Sequence, residues 1–319
     1  DGKIAAVAAD IPAAQATKVV NAAGLYVTPG LVDIHVHVYH GEKTAYAGGP
    51  NGVPIDAFAP RSCTTTVSDA GSAGWRNFDD FQTRIIDKAK TRVTAFLNIV
   101  GHGMAGGEKE QDLSDMDAKL TGEFALKHKG LIVGIKSAHY NGPEWAPFER
   151  SVEAGKIADI PVMVDFGSAK VRTIAELFEK HFRPGDIFSH CYAGGSRGEV
   201  IDGKINPAIF AAQKKGILFD VGHGGGSFVF RTAVRAFKEK FYADVISTDM
   251  HINSMNAGMK DMLNVMSKFL ALGMPLDEVI ARSTWAAAKS IKQDGLGHLS
   301  VGAVADVAVL RLETGDFGF

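Results

Sequence analysis

Short apolar runs that end in turn residues recur along the chain, and this recurrence most constrains the fold. Their spacing of roughly 25–40 residues is close to the size of one strand followed by one helix. The eight runs cover residues 31–38, 64–68, 93–100, 131–136, 161–167, 186–191, 216–222 and 244–249. Apolar residues at three- and four-residue offsets fill several gaps, as in helices that pack on a sheet, at 75–89, 171–178 and 259–270. We therefore predict an α/β protein of the (β/α)8 TIM-barrel type, with a doubly wound open sheet as the alternative.

The two ends of the chain have a different character. At 319 residues the chain exceeds the length of one average domain, although an α/β barrel commonly reaches this size as one domain. We expect residues 28–297 to form the barrel, and 1–27 with 298–319 to form a small β-domain, a β-sandwich. Its predicted strands lie near 4–8, 25–27, 297–299 and 305–310. Because the chain begins at Asp1 without Met and stops abruptly, we expect a partial chain.

Composition narrows the possible partners. The formal net charge is −2 and no block of Lys and Arg occurs, which disfavours nucleic acid and anionic membranes as partners. No apolar run reaches the roughly 18 residues that span a bilayer. The two cysteines, Cys63 and Cys191, are too few for a disulfide framework, so we expect free thiols and a cytoplasmic location. The expected partner is a small-molecule substrate, and a homo-oligomer stays open.

The first run, in TPGLVDIHVHVYHG, combines a strand pattern with metal-ligand chemistry. Apolar residues alternate with Asp33, His35 and His37 after a Pro-Gly turn. Side chains two apart on a strand point the same way, so His35 and His37 project from one face and can share a metal ion. Taken alone, the pair is equally well explained as two chance histidines on a half-buried strand.

The ends of the later runs decide between these interpretations. In a barrel or an open α/β sheet, chemistry is concentrated at the carboxyl ends of the strands. Most of the predicted strands end in, or just before, residues able to bind metal or transfer protons. These residues are His35 and His37, Lys136 with His139 beyond it, Asp165, His190, His223 and Asp249.

Together these positions resemble the amidohydrolase superfamily of metal-dependent hydrolases. Its pattern is H-x-H on strand one, Lys or Glu on strand four, His on strands five and six, and Asp on strand eight. The matching residues here are His35, His37, Lys136, His190 and Asp249. The Pro-Gly-Leu-Val-Asp stretch at 29–33 and the return at 295–307 are also similar, so the resemblance covers nearly the whole chain.

The resemblance implies a binuclear metal centre. Two divalent ions, expected to be zinc, would lie close together, with Lys136 carboxylated by CO2 and bridging them. One ion would take His35, His37 and Asp249, and the other His190. The alternative is a metal-free site in which Lys136 forms a buried ion pair with Asp165 or Asp249. Because buried ion pairs gain little stability over apolar packing, that alternative is weakly motivated.

Asp165 departs from the family pattern, which has His on strand five. A carboxylate can bind zinc directly, so Asp165 is expected among the ligands. It could instead orient an imidazole, or His223 could take the ligand position.

The resemblance also suggests a mechanism and a substrate class. Metal-activated hydroxide would attack the substrate, with Asp249 as general base and then general acid. Dihydroorotases carry an Arg where this chain has Tyr39, and adenine deaminases lack a bridging carboxylated Lys. The motifs HCYAGGSRG and GHGGGSF resemble a subgroup labelled dihydroorotase or adenine deaminase, some of whose members hydrolyse acetylated acids. We therefore expect an O-acetyl 2-hydroxy acid or an N-acetyl amino acid as substrate.

Loop residues near the strand ends are candidates for substrate binding. They are His223, Tyr192, Arg197, His102 and Tyr39. Each has a structural alternative: Arg197 as a solvated loop charge, for example, or His102 as the cap of a turn. Two other functions stay open, a cyclic-amide hydrolase or deaminase, and a non-catalytic relative kept for assembly after losing its metals.

Overall fold

A seven-stranded parallel sheet forms the centre of the molecule. The computed structural model describes residues 2–40, 51–167, 171–194 and 197–318. In spatial order the sheet runs β10, β7, β6, β5, β4, β3, β2, so that strands near in sequence are neighbours in space. The strands are β1 Tyr26–Pro29, β2 Leu31–Val36, β3 Thr64–Gly74, β4 Arg92–Asn98, β5 Ile132–Ser137, β6 Val162–Val164, β7 Ile187–Phe188, β8 Val200–Ile201, β9 Lys204–Ile205, β10 Leu218–Phe219 and β11 Val307–Leu310.

The segment 244–250 links the two edges of this sheet. Val245 forms a parallel bridge with Asp220, just after β10, and Met250 forms a parallel bridge with Val36 at the end of β2. Seven of the eight predicted strands are confirmed, with shifted ends, while the eighth is present only as these isolated bridges. The parallel sheet curls toward closure, which is typical of a distorted TIM barrel, and the α/β class is confirmed.

Helices separate most of the strands. The α-helices are α1 Ile55–Phe58, α2 Phe78–Arg84, α3 Ala118–Lys127, α4 Ala146–Ala158, α5 Ile174–Glu176, α6 Pro207–Lys215, α7 Phe230–Lys238, α8 Ile252–Asn256, α9 Met262–Ala271, α10 Leu276–Arg282 and α11 Trp285–Ser290. Shorter 3₁₀ turns lie at Ala13–Gln15, Ala59–Ser62, Ile86–Lys88, Gly107–Gln111 and Leu113–Asp115, and a π-turn at Leu177–His181. The three predicted helical stripes are confirmed, and each helix begins three residues later than predicted. In the first two, the α-helix gives way to a 3₁₀ or π-turn.

The chain ends form a smaller structure than the predicted sandwich. Strand β1 pairs antiparallel with β11 in a two-stranded sheet, and Lys3 bridges Val304. The predicted strands at 4–8 and 297–299 are wrong, because neither segment forms a ladder. Residues 5–8 are exposed, and at Gly297 a φ of +73° turns the backbone close to Thr284.

The buried apolar residues lie on both sides of the sheet. One cluster collects side chains from β2 to β7 together with Val245, and packs them against Ala287 and Ala288 of α11. This cluster includes Met163, whose Sδ lies 3.4 Å from Lys136 Nζ, so it reaches the buried end of that lysine. Cys63 and Cys191 are both free thiols, as predicted. In the described part of the chain, no helix has the length and apolarity to cross a membrane.

Candidate metal centre

His35 of β2, His37 one residue past that strand and an aspartate of the closing segment, Asp249, meet at the carboxyl end of the sheet. His37 Nε2 lies 3.2 Å from Asp249 Oδ1, and His35 Nε2 lies 3.7 Å from the same oxygen. All three residues are buried, and one donor atom from each lies within 4.8 Å of the others. Among the described residues, no other group of three His, Cys, Asp or Glu side chains brings its donor atoms this close together. The two-residue spacing places both imidazoles on one face, as the strand pattern requires.

The outer nitrogen of each imidazole is held by the protein. His35 Nδ1 lies 2.9 Å from Ser189 Oγ and 3.1 Å from Asp220 Oδ2. His37 Nδ1 lies 2.9 Å from Ser72 Oγ, and His190 Nδ1 donates to the carbonyl oxygen of Gly222 at 2.6 Å. Such contacts fix the tautomer and direct Nε2 of each ring toward the centre of the site.

Lys136, on β5, ends beside His35. The residue is fully buried, and its Nζ lies 3.2 Å from His35 Nε2 and 3.4 Å from Met163 Sδ. Within the described residues no oxygen accepts a hydrogen bond from this amine. Burial lowers its pKa, although Asp165 and Asp249 act in the opposite direction. A buried ammonium without an oxygen acceptor is costly, and this cost is the physical cause of the lowered pKa.

Two glycines make room for this cluster. At Gly71 the backbone has a φ of +90°, and a Cβ there would lie 2.6 Å from Lys136 Cβ. At Gly222 a Cβ would lie 2.8 Å from His190 Nδ1 and 3.0 Å from His35 Nδ1. A larger residue at either position would displace a side chain of the site.

A second group surrounds Asp165, one residue past β6. Asp165 Oδ2 lies 3.4 Å from His190 Nε2 and 3.4 Å from His139 Nε2, and Oδ1 accepts a 2.7 Å hydrogen bond from Arg197. Burial acts to raise the pKa of Asp165, but His190 and Arg197 outweigh it and hold that pKa well below its usual range. The carboxylate is therefore ionised and shared among three cationic or polarisable partners.

Asp249 is held in an unusual backbone conformation. Its φ is +52°, in the left-handed region that non-glycine residues seldom occupy. Burial acts against ionisation, yet the hydrogen bond from His37 and the nearby His190 lower the pKa of Asp249. His139 and His190 also have positive φ values, of 59° and 63°. Backbone strain of this kind concentrates at functional sites.

His223 has both ring nitrogens engaged, which bears on its expected roles. Nδ1 donates to the carbonyl of Gly224 at 2.8 Å, and Nε2 lies 2.9 Å from the buried Nζ of Lys268. The ring also stacks on Phe228. Burial and Lys268 contribute to lowering the pKa of His223 to about 4, so the ring is neutral near pH 7. In this arrangement no ring nitrogen of His223 is left for a metal.

Arg197 borders a cavity of about 910 Å³ beside the second group. His139, Asp165, Glu110 and Asn141 line the same cavity. With a side chain only 19 % exposed, Arg197 is not a freely solvated loop charge. Its Nη1 binds Asp165, so it links the cavity to the candidate metal centre.

The other three candidate substrate residues have different surroundings. Tyr192 is fully buried among Phe228, Phe241 and Phe269, and its hydroxyl accepts from the backbone N–H of Ala243. These contacts place Tyr192 in the apolar core rather than along a cavity wall.

Tyr39 and His102 likewise lie in structural contacts. The hydroxyl of buried Tyr39 donates to Asp80 at 2.6 Å, and its ring packs on Phe81. His102 is exposed, in a turn where its backbone N–H binds Asp115. The structure thus gives Tyr39 a packing role and His102 a place in a turn.

Several residues that orient the site were missed by the sequence analysis. They are Ser72, Ser189 and Asp220 behind the imidazoles, and Glu110, which binds His139 Nδ1 at 2.8 Å. Asp220 directly follows β10, so reading every strand end for carboxylates would have found it. Glu110 lies in a 3₁₀ turn 29 residues from His139 and has no local signal.

The donor set suits a divalent cation. Imidazole nitrogens and carboxylate oxygens are usual zinc ligands. Here the Nε2 atoms of His35, His37 and His190 face the carboxylates of Asp249 and Asp165. Lys136 adds a buried amine without an oxygen acceptor in the described structure. A cation accounts for the close approach of these groups better than a metal-free ion-pair cluster.

Comparisons with known proteins agree with this geometry. No family model matches the chain. A deacetylase of Agrobacterium fabrum is 34% identical over 327 residues, which cover 99% of this chain and 78% of that protein. A deacetylase of Brucella anthropi is 33% identical over 326 residues, covering 99% of this chain and 79% of the relative.

Comparison with solved structures also finds similar proteins. A crystal structure described as an adenine deaminase superposes with a TM-score of 0.89 at 31% identity, covering 97% of this chain and 83% of the other. A crystal structure described as a dihydroorotase superposes with a TM-score of 0.81 at 32% identity, with the same coverage of both chains. The similarity therefore extends over the sheet, the site and the chain ends.

Proposed function

The chain belongs to the amidohydrolase superfamily and is a hydrolase, and from that premise we propose that it is a metal-dependent deacetylase. The proposed substrate is a small acid that carries an acetyl group, either an O-acetyl 2-hydroxy acid or an N-acetyl amino acid. The observation that carries the proposal is the full-length similarity to deacetylases in a chain with buried His35, His37 and Asp249 converging at one point.

We assign the candidate ligands to two ions. His35, His37 and Asp249 would hold one, while His190 and Asp165 would hold the other, with Lys136 between them. When bound, such cations acidify a coordinated water and polarise the substrate carbonyl. Zinc is the proposed metal because nitrogen and oxygen donors at four-coordinate sites suit it.

Lys136 is proposed to be carboxylated. A neutral amine can react with CO2, forming an N–C bond and releasing one proton, and the product offers two oxygens in place of the nitrogen. The support is the buried Nζ, which lies 3.2 Å from His35 Nε2, has a lowered pKa and is influenced by the charges of both Asp165 and Asp249. Gly71 leaves space around the stem of this side chain.

Asp249 is proposed to move the proton in hydrolysis. Oδ1 faces His35 and His37, while Oδ2 faces Gly224, where a Cβ would lie only 2.5 Å away. The lowered pKa keeps this carboxylate ionised near neutral pH, so that it can accept a proton from water. It would then return the proton to the departing amine or alkoxide, giving acetate and the free amino or hydroxy acid.

Arg197 is proposed to bind the carboxylate of the substrate. One of its nitrogens binds Asp165, and the planar guanidinium has further N–H groups that suit a carboxylate. The adjoining cavity of about 910 Å³ is large enough for a small acetylated acid. His223 is proposed to contribute by holding the 222–226 loop beside Asp249.

Family membership also supports a finer view of the architecture. We propose that 244–250 takes the eighth strand position of a closed barrel covering 28–297, and that 1–27 and 298–319 belong to a separate small β-domain. The bridges of Val245 and Met250 to both sheet edges support the first part, and the β1–β11 pairing supports the second.

A direct test is a screen of acetylated acids of both hands with the purified protein, with zinc and bicarbonate supplied. We expect acetate release that stops after treatment with a chelator and returns with zinc. The matched control is the methyl amide of each acid, which lacks the carboxylate and should react far more slowly. Metal-loaded protein that releases no acetate from any member of the panel would contradict the proposal.

A deaminase or a cyclic-amide hydrolase is the second candidate. The observation in its favour is the similarity to structures described as an adenine deaminase and a dihydroorotase. Ammonia release from adenine would identify the first, and ring opening of dihydroorotate the second. Either activity, at a higher kcat/KM than acetate release, would replace the deacetylase assignment.

A further inference from the structure

We infer that His139 is an additional metal ligand, completing the second cation site together with Asp165 and His190. The inference rests on the proposed metal dependence. His139 follows β5 by two residues, in a loop at the same end of the sheet as the candidate centre, and its side chain is 32 % exposed toward the cavity.

The first argument is the orientation of the ring. His139 Nδ1 lies 2.8 Å from Glu110 Oε2, a normal hydrogen bond to a buried carboxylate. Metal-binding histidines typically donate their other N–H to a carboxylate or a carbonyl in this way. The arrangement matches His35 with Asp220 and His190 with the Gly222 carbonyl, so in each case Nε2 faces the site.

The second argument is the spacing of the donor atoms. Asp165 Oδ2 is 3.4 Å from both His139 Nε2 and His190 Nε2. Good N–H···O bonds are roughly 2.7–3.2 Å long, so both contacts are long for hydrogen bonds. Two ligands of a tetrahedral zinc ion, each about 2.0–2.2 Å from the metal, lie about 3.4 Å apart. Each Oδ2–Nε2 distance is therefore that of two neighbouring metal ligands. The two imidazoles lie farther from each other, because only the donors of His35, His37 and Asp249 all fall within 4.8 Å among the described residues, so His139 and His190 would close on the ion.

The third argument is that the two carboxylate oxygens of Asp165 have different partners. Arg197 binds Oδ1 at 2.7 Å, which leaves Oδ2 to face the two imidazoles. A carboxylate anchored through one oxygen is positioned to give the other to a cation. A bound ion at Oδ2 would draw the flanking His139 and His190 rings toward it.

The site would take a divalent cation of the zinc class, with imidazole and carboxylate ligands. The test uses the full chain, loaded with zinc and bicarbonate, as wild type, His139→Asn and Glu110→Gln. His298→Asn is the control, because His298 lies near the return to the chain ends and contacts Asp294 and Trp285. The readouts are zinc equivalents per chain, the Kd of the weaker ion by chelator competition, and the imidazole number per zinc by X-ray absorption.

We expect wild type and His298→Asn to bind two ions. In His139→Asn the weaker Kd should rise by at least about 10–100-fold, and in Glu110→Gln by a smaller factor, since that change removes only an orienting partner. X-ray absorption should count four imidazoles for two zinc ions in wild type. Glu110→Gln keeps the His139 ring, so it tests the inference even if His139→Asn folds poorly.

Three results would overturn the inference. If His139→Asn binds both ions with unchanged affinity, His139 is not a ligand, while the deacetylase proposal stands. If both ions are retained with unchanged Kd and the KM for an acetylated acid, measured on the same variants, rises, His139 contacts substrate instead. If the wild-type protein binds no cation under any loading condition, the proposed function fails and the inference fails with it.

Discussion

The two halves of the candidate centre are built differently. In the first half, His35 lies on β2, His37 one residue past it, and Asp249 on a segment bridged to the end of that strand. The donor atoms of these three residues already lie within 4.8 Å of one another. Around Asp165, the neighbouring groups come from loops past β5, β6 and β7, and one carboxylate oxygen is taken by Arg197. The first half is held by the sheet, whereas the second depends on loop contacts.

This difference indicates that the two halves of one metal centre can bind their cations with unequal affinity. Groups fixed by strand pairing need little rearrangement to bind a cation, because their positions are determined before the cation arrives. Groups on loops must be drawn together, and that ordering reduces affinity. We therefore expect the ion near Asp249 to be bound more tightly than the ion near Asp165.

The largest effect is expected from Asp249→Asn. Asparagine keeps the shape but cannot take up a proton, so turnover of an acetylated acid should fall by about 10²–10⁴-fold. Steady-state kinetics together with metal analysis would check this, and exposed Asp277→Asn on α10 is the control. A variant that keeps its metals and loses only a few fold in turnover would refute the role of Asp249.

Lys136→Met should affect cation binding in the two halves differently. Methionine fills the buried space but supplies no carbamate, so binding of the second ion should weaken by about 10–100-fold while the first is retained. In chelator the same change should raise Tm, because it removes a buried amine that lacks an oxygen acceptor. Chelator competition and thermal melting measure both effects. A fall in Tm without metal would show that the amine is stabilised by the fold itself.

Arg197→Lys probes the loop-built half. Lysine keeps the charge near Asp165 but loses the planar arrangement of donors, so KM for a carboxylate substrate should rise about 10-fold with little change in kcat. The effect should vanish for the methyl amide of the same substrate. Arg76→Lys, half-exposed and paired with Asp115, is the control. An equal rise in KM for both substrates would rule out a contact with the carboxylate.

The smallest effect concerns how the free energy of unfolding depends on pH through Lys268. Burial, with Lys260 nearby, lowers the pKa of Lys268 to about 8 in the folded protein. Between that value and the ordinary lysine pKa near 10.5, the unfolded chain binds more protons, so this group makes stability rise with pH.

Lys268→Met should remove that contribution. In chelator, the Tm of wild type should rise more between pH 8 and pH 10 than the Tm of the variant, in line with the lowered pKa. Lys289→Met, exposed on α11, should behave like wild type. Parallel Tm curves for all three proteins would exclude a buried, shifted Lys268.

Much of the fold could be predicted from local patterns. Apolar runs predicted eight strands, and seven of them form the parallel sheet, because strands covered on both faces carry few polar residues. The exact ends were less predictable. Strands β7 and β10 pair over only two residues each, and α5 continues as a π-turn, because tertiary packing and not propensity sets those limits. The strand expected at 4–8 has the right composition, but only its first residue, Ile4, exchanges backbone hydrogen bonds with the segment at 302–303, and no ladder continues from there.

The site divides in the same way. The period of two in the first apolar run placed His35 and His37 on one face, and the order of strand ends pointed to Lys136, Asp165, His190 and Asp249. Nothing local marked the pairing of Glu110 with His139 or of Lys268 with His223, since these contacts join distant loops and helices. Tyr192 and Tyr39 stood at plausible positions, yet their rings turn into packed surroundings.

By itself, the sequence determined which residue types stand at the ends of the strands, because strand periodicity and the βα repeat act over short distances. Only the tertiary structure decided which nitrogen of each imidazole faces inward and which carboxylate oxygen is left for a cation. Those choices depend on hydrogen bonds between segments far apart in the chain, and such bonds exist only after the sheet has brought the segments together.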